Sequence, residues 1–416
     1  MNNLLARVNS FYIFVVLIWP PLQGIVLQVD AIGRTLFFLT VPILFINILY
    51  DSNIRKLFIS KPIIFWGMWV VYSIINSSVK GVSQEGMNIL FFIGNLFVPY
   101  IVMILVCNEY LNNTSKLLKL LTNALFLYVL IGMLSINIDM LGMGRFMSEK
   151  LGNFLPLNIV FLVFFICLRF ARKELKFRKV GILLFLLMSI IVLSGTRKAL
   201  GGAMIIITFT IFSFIKFKSF KANMIVVAFF IVLFFGFQYI MNNTIIGERM
   251  NEIEEVGVMF NTTDYAILNR LGDRSYQYII GWELFVEHPL TGIGLGNFRA
   301  ITLTKFGIHS EYIVQLAECG LIGTILFLSF NFWILLHLLK CWKKYPQQRY
   351  YSWIIVGGGL AILFIGLTAW LYSFPIYFAG YGIIIAFLKQ IEGIKLREPV
   401  PQVQDYFGRL KLNINQ

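Results

Sequence analysis

Long, mostly apolar stretches recur along almost the whole of this 416-residue chain, separated by short polar connections. A helix needs roughly 20 such residues to cross the hydrocarbon of a bilayer, and in that solvent only helices and closed barrels satisfy their own backbone polar groups. The pattern predicts an all-α, polytopic membrane protein of about 12 transmembrane helices. Candidate spans fall at 11–27, 36–50, 63–77, 89–107, 117–136, 154–170, 180–193, 200–215, 225–241, 311–339, 353–370 and 371–388. Pro20, Pro21 and Pro375 lie inside these spans and are expected to kink them. Composition agrees: 58% hydrophobic and 13% charged residues, against about 45–50% and about 25% in soluble domains.

The formal net charge of +15 would suggest a nucleic-acid partner in a soluble protein. Here the basic residues cluster in every second connection: Arg55, Lys56 and Lys61; Arg169, Arg172, Lys173, Lys176, Arg178 and Lys179; Lys340, Lys343, Lys344 and Arg349. Such loops face the cytoplasm, so topology accounts for the charge and no nucleic-acid partner is expected. Both termini are then cytoplasmic. The first ten residues carry only Arg7 and lead into an apolar run with no small-residue cleavage site, which reads as a retained first span. Cys107, Cys167, Cys319 and Cys341 show no paired spacing, so neither a disulfide framework nor a zinc site is expected.

The organisation that follows has four parts. Residues 1–241 hold nine helices, 242–310 form one large extracytoplasmic loop, 311–390 hold three more helices, and 391–416 are a cytoplasmic tail. The polar chemistry concentrates in the outward loop and in the short turn at 194–198, beyond reach of cytoplasmic nucleotides.

In Ser194-Gly-Thr-Arg197-Lys198, a guanidinium and an ammonium stand on an outward turn. Two readings stay open: a pair snorkelling at a helix end, or an anion site, since the guanidinium fork matches phosphate oxygens. Arg274, just ahead of an amphipathic helix carrying Tyr276, Tyr278 and Trp282, is a second outward anion candidate, with Arg270 in reserve. The aromatics suit either an interfacial belt or a sugar-stacking platform. His288-Pro289-Leu-Thr-Gly292-Ile-Gly294-Leu-Gly296-Asn-Phe298 has glycine spacing without a preceding strand, so it is no nucleotide loop. Pro289 should end the helix before it, with His288 as a helix-end residue. Irregular backbone of this kind is tolerated at membrane depth where protein or a water-filled cavity surrounds it.

His309-Ser-Glu311-Tyr opens the next span. An unperturbed imidazole titrates near 6.5 and can take a proton from a hydroxyl; the alternative is a histidine capping the helix. Glu311 either orients that imidazole or sits favourably at the helix N-terminus. Glu318 lies farther into the apolar run, where a carboxylate is costly without a partner, so it either pairs inside the bundle or contacts substrate. His337, near the cytoplasmic side, reads as structural.

These segments, in this order, resemble the O-antigen ligase and polymerase superfamily of bacterial surface-polysaccharide assembly. The matching pieces are Ser194-Gly-Thr-Arg197, Arg274 with Trp282 leading to His288 through Phe298, and His309-Ser-Glu-Tyr312 through Gln315-Leu-Ala-Glu-Cys-Gly320. The resemblance covers roughly the second half of the chain. It implies a GT-C-like fold in the bacterial inner membrane and an inverting, metal-independent glycosyl transfer at the outer face, with no cofactor. The donor it implies is a glycan on undecaprenyl diphosphate. The acceptor is a lipid-linked repeat unit for a polymerase or lipid A core for a ligase, and the polymerase is favoured.

Membrane lipids, and a chain-length regulator and flippase of the same pathway, are the implied partners. By resemblance the catalytic histidine falls on His309 and diphosphate binding on Arg197 and Arg274, with Arg270 and Lys198 behind them. Glu311, Glu318, Gly292, Gly294 and Gly296 support the site. Ser310 and Thr196 depart from the family's common Asn and Ser, which blurs the subfamily. A lipid-linked oligosaccharide flippase is the reading from another class, weakened because the ionisable groups gather on one face and not at mid-membrane.

Overall fold

The structure, a computed structural model, describes residues 2–22, 32–81, 89–136, 154–214, 224, 235, 238–239, 273–302, 307–344, 349–367, 369 and 371–391. Within them the chain is all helix: α1 (Asn2–Pro21), α2 (Ile32–Tyr50), α3 (Ser52–Phe58), α4 (Lys61–Lys80), α5 (Ile89–Asn112), α6 (Thr114–Met133), α7 (Phe154–Ala171), α8 (Phe177–Leu193) and α9 (Arg197–Phe214), followed by α10 (Asp273–Glu287), α11 (Phe298–Thr302), α12 (Glu311–Lys344), α13 (Arg349–Gly366) and α14 (Pro375–Ile391). Seven of these are long and apolar enough to cross a membrane, in α1, α4, α5, α6, α7, α9 and α12, and the described parts of α2, α13 and α14 are shorter apolar helices. Helices occupy the expected spans except 225–241, which lies almost wholly outside the described residues. Phe11, Phe45, Phe185 and Phe332 are 60–72% exposed. Apolar surface spread so widely suits lipid as the surrounding solvent.

Close packing comes from small residues. At Gly202 an added Cβ would lie 3.0 Å from Ile365 and 3.3 Å from Val160, and at Gly358 it would fall 2.4 Å from the Phe164 ring. Glycine here lets side chains of the facing helices seat directly on the α9 and α13 backbones. An aromatic cluster fills the middle of the bundle, with Trp66 stacked near Trp69, Phe330 and Phe378 at centroid separations of 4.5, 5.0 and 4.8 Å. Polar side chains inside the bundle pair with one another: Asn9 donates to Asn47 and Glu109, and Glu174 bridges Arg169 and Arg172. His337 is held as well, its ring stacked on Trp333 and its Nδ1 2.8 Å from that residue's carbonyl.

Two expectations need correction. Pro375 does not kink a span; it is the first residue of α14, where a proline's missing N–H costs nothing. Pro20 and Pro21 stand in the last turn of α1.

The larger difference concerns α12, which the sequence pattern reads as one continuous span. At Gly320 the backbone leaves helical geometry, with φ 62° and ψ −167°. Tyr312 and Phe327 are fifteen positions apart, about 22 Å along a continuous helix, yet their ring centroids lie 6.2 Å apart. The two arms therefore fold back on one another. The first arm, 311–319, is about 13 Å long, too short to span, and only the second is long enough to cross.

Candidate active site

The break in α12 is where the glycine loop docks. Breaking a helix orphans its N–H and C=O groups, and the loop supplies their partners. Ile293 and Gly294 donate to the carbonyls of Ala317 and Glu318 at 3.0 and 2.8 Å, while Leu321 and Ile322 donate to the carbonyls of Pro289 and Leu290 at 2.8 and 3.1 Å. Gly292 and Gly320 make this possible, both with φ near +65° and each packed against the other's main chain. Gly294 and Gly296 also have positive φ.

Glu318 fastens the loop from inside. Its buried carboxylate accepts from the Gly296 N–H at 2.8 Å and the Phe298 N–H at 3.1 Å, one on each oxygen. The expected choice between structural pairing and substrate contact is thus met by backbone pairing. From the other side α4 supplies a polar stripe. Tyr72 donates to the Cys319 carbonyl at 2.8 Å, Asn76 to Thr291 at 2.7 Å and Ser77 to Leu295 at 3.2 Å. Asn297 reaches back to the Gly81 carbonyl at 2.8 Å. The sequence reading passed over these residues. Their signal was present: Trp69, Tyr72, Ser73, Asn76 and Ser77 recur at helical spacing on one face of an apolar helix.

Glu311, fully buried, does not orient His309. It accepts from the Leu371 N–H and from Gln315 at 2.8 Å, and Gln315 in turn accepts from the Trp69 indole at 2.7 Å. This chain ties the foot of α12 to α4 and to the connection before α14. His309 is oriented by its own turn instead, with Nδ1 2.9 Å from the Gly307 carbonyl. A carbonyl only accepts, so Nδ1 carries the hydrogen, and in the neutral ring the lone pair then lies on Nε2.

Arg197 is the first residue of α9, half-buried, after a turn in which Ser194 donates to Ile191 and accepts from the Thr196 N–H. Helix N-termini favour anions. Lys198 follows it, also half-buried. The helix starts carrying Arg197 and His309 lean on the same stretch of α13: Gly201 abuts Phe364, and the Tyr312 hydroxyl donates to the Leu363 carbonyl at 3.2 Å. Arg274 lies in the first turn of α10, its side chain outside the described residues; Arg270 lies outside them altogether. His288 is exposed just after α10, its N–H on the Leu284 carbonyl, as a helix-end residue should be.

Residues 182–328 match the family model described as O-antigen ligase. The match supports the resemblance to the O-antigen ligase and polymerase superfamily. The matched segment takes in Arg197, the α10 start, the glycine loop, His309 and Glu318. No curated protein matches the chain.

Proposed function

We propose that the protein is a surface-polysaccharide polymerase, transferring a glycan from a polyprenyl-diphosphate donor to a lipid-linked repeat unit at the outer face of the membrane. The observation that carries this reading is the His309 imidazole, whose Nδ1 donates to the Gly307 carbonyl, which in the neutral ring puts the basic lone pair on Nε2. In the reaction an acceptor hydroxyl gives its proton to Nε2 as its oxygen bonds to the anomeric carbon. The bond from that carbon to the diphosphate breaks in the same displacement, which inverts the anomeric configuration. Negative charge grows on the departing diphosphate, and Arg197 with Arg274 offset it. The α9 N-terminus adds favourable dipole there.

A ligase that transfers the glycan to lipid A core is the second reading, favoured by the matched family, O-antigen ligase. The test is purified protein in nanodiscs, supplied with lipid-linked repeat units and EDTA. A ladder of products supports the polymerase. Transfer appearing only with lipid A core supports the ligase. Translocation without any transfer sinks both and favours a transporter.

A further inference from the structure

Gln277 lies in α10, only 1% exposed, and its side-chain carbonyl oxygen has no hydrogen-bond partner among the described residues. Buried polar atoms are nearly always paired, and an exception in a native protein calls for an occupant or a reason. The neighbouring geometry says where this atom faces. One turn further along α10, Gly281 fits a notch between Ile308 and Ile313, so close that a Cβ would fall 3.1 and 2.7 Å from them. Residues four apart share a helix face. Gln277 therefore faces the stretch of chain that holds His309. Another buried atom without a hydrogen-bond partner among the described residues, Gln390 Oε1, stands near the end of α14.

We infer that the Gln277 carbonyl accepts a hydrogen bond from a hydroxyl of the donor's first sugar, the ring whose anomeric carbon is attacked. An amide oxygen can only accept, so its partner must be a donor, and hydroxyls are the donors that a sugar offers in number. The position suits that ring because it faces the stretch that carries His309, the proposed base. The inference rests on the proposed function and deepens it: Gln277 recognises sugar, not phosphate.

The test uses full-length protein in nanodiscs and two probes, undecaprenyl diphosphate carrying the host's repeat unit and undecaprenyl diphosphate alone. Gln277→Leu keeps the bulk and removes the amide; Gln277→Glu keeps an acceptor. The Leu variant is expected to lose about tenfold in affinity for the glycan-bearing lipid, to bind the bare lipid as the wild type does, and to melt no lower than the wild type. The Glu variant should retain most of the discrimination. Equal affinities for both variants and wild type, or an equal loss for both lipids, mark Gln277 as a packing residue and overturn the inference while the proposed function stands. Wild-type protein that binds neither lipid removes the proposed function, and this inference with it.

Discussion

Gly292 and Gly320 meet main chain to main chain: a Cβ on Gly292 would fall 2.6 Å from the Gly320 nitrogen, and one on Gly320 would fall 2.5 Å from the Gly292 nitrogen. Both also hold φ above +60°, a region costing other residues about 1–2 kcal/mol. Because the opposing atoms are backbone, neither can swing aside. Gly320→Ala and Gly292→Ala are each expected to destabilise by about 2 kcal/mol or more, read as a lower melting temperature in detergent. The control is Gly307→Ala, whose nearest neighbour is the Arg299 side chain at 3.8 Å; it should melt close to wild type.

Glu318 uses two oxygens for two backbone donors. Glu318→Gln keeps the shape but turns one acceptor into a donor that faces an N–H. The cost should be about 1–3 kcal/mol, with transfer activity falling as the loop loosens. A Gln variant as stable and active as wild type would show that Glu318 does not fasten the loop.

His309→Asn should leave the melting temperature near wild type, because its amide can still reach the Gly307 carbonyl of its own turn, and should lower transfer by a hundredfold or more, on the order of general-base loss. Arg197→Lys keeps the charge and loses the fork, so an intermediate fall of about tenfold is expected, with Arg197→Ala lower still. Initial rates of product formation separate these variants.

Asn76→Leu tests whether α4 belongs to the site. It removes the donor that satisfies the Thr291 carbonyl while adding apolar bulk that suits a membrane helix. Reduced transfer is expected in the variant, with expression and insertion unchanged. Activity at the wild-type level would confine α4 to a scaffold.

The membrane fold was legible because apolar runs of spanning length need no tertiary context. The motif residues from Arg197 to Glu318 were legible because ionisable and glycine residues stand out against such runs. Two things were not. Hydropathy treats 311–339 as one helix because the residues on both sides of Gly320 are apolar; the break appears only once the glycine loop supplies backbone partners from more than twenty positions away. The partners of Glu311 were equally hidden, since Leu371 offers a main-chain N–H, which every residue but proline possesses and no side chain announces.

Helix α4 also serves as a ruler. Its contacts climb in order from Trp69 with Gln315, through Tyr72 with Cys319 and Asn76 with Thr291, to Gly81 with Asn297. Those twelve positions rise about 18 Å, more than half of a hydrocarbon core roughly 30 Å thick. The foot of α12, two residues past His309, thus lies farther along α4 from the glycine loop than the break at Gly320 does, and both ends of that short arm take their register from a single helix.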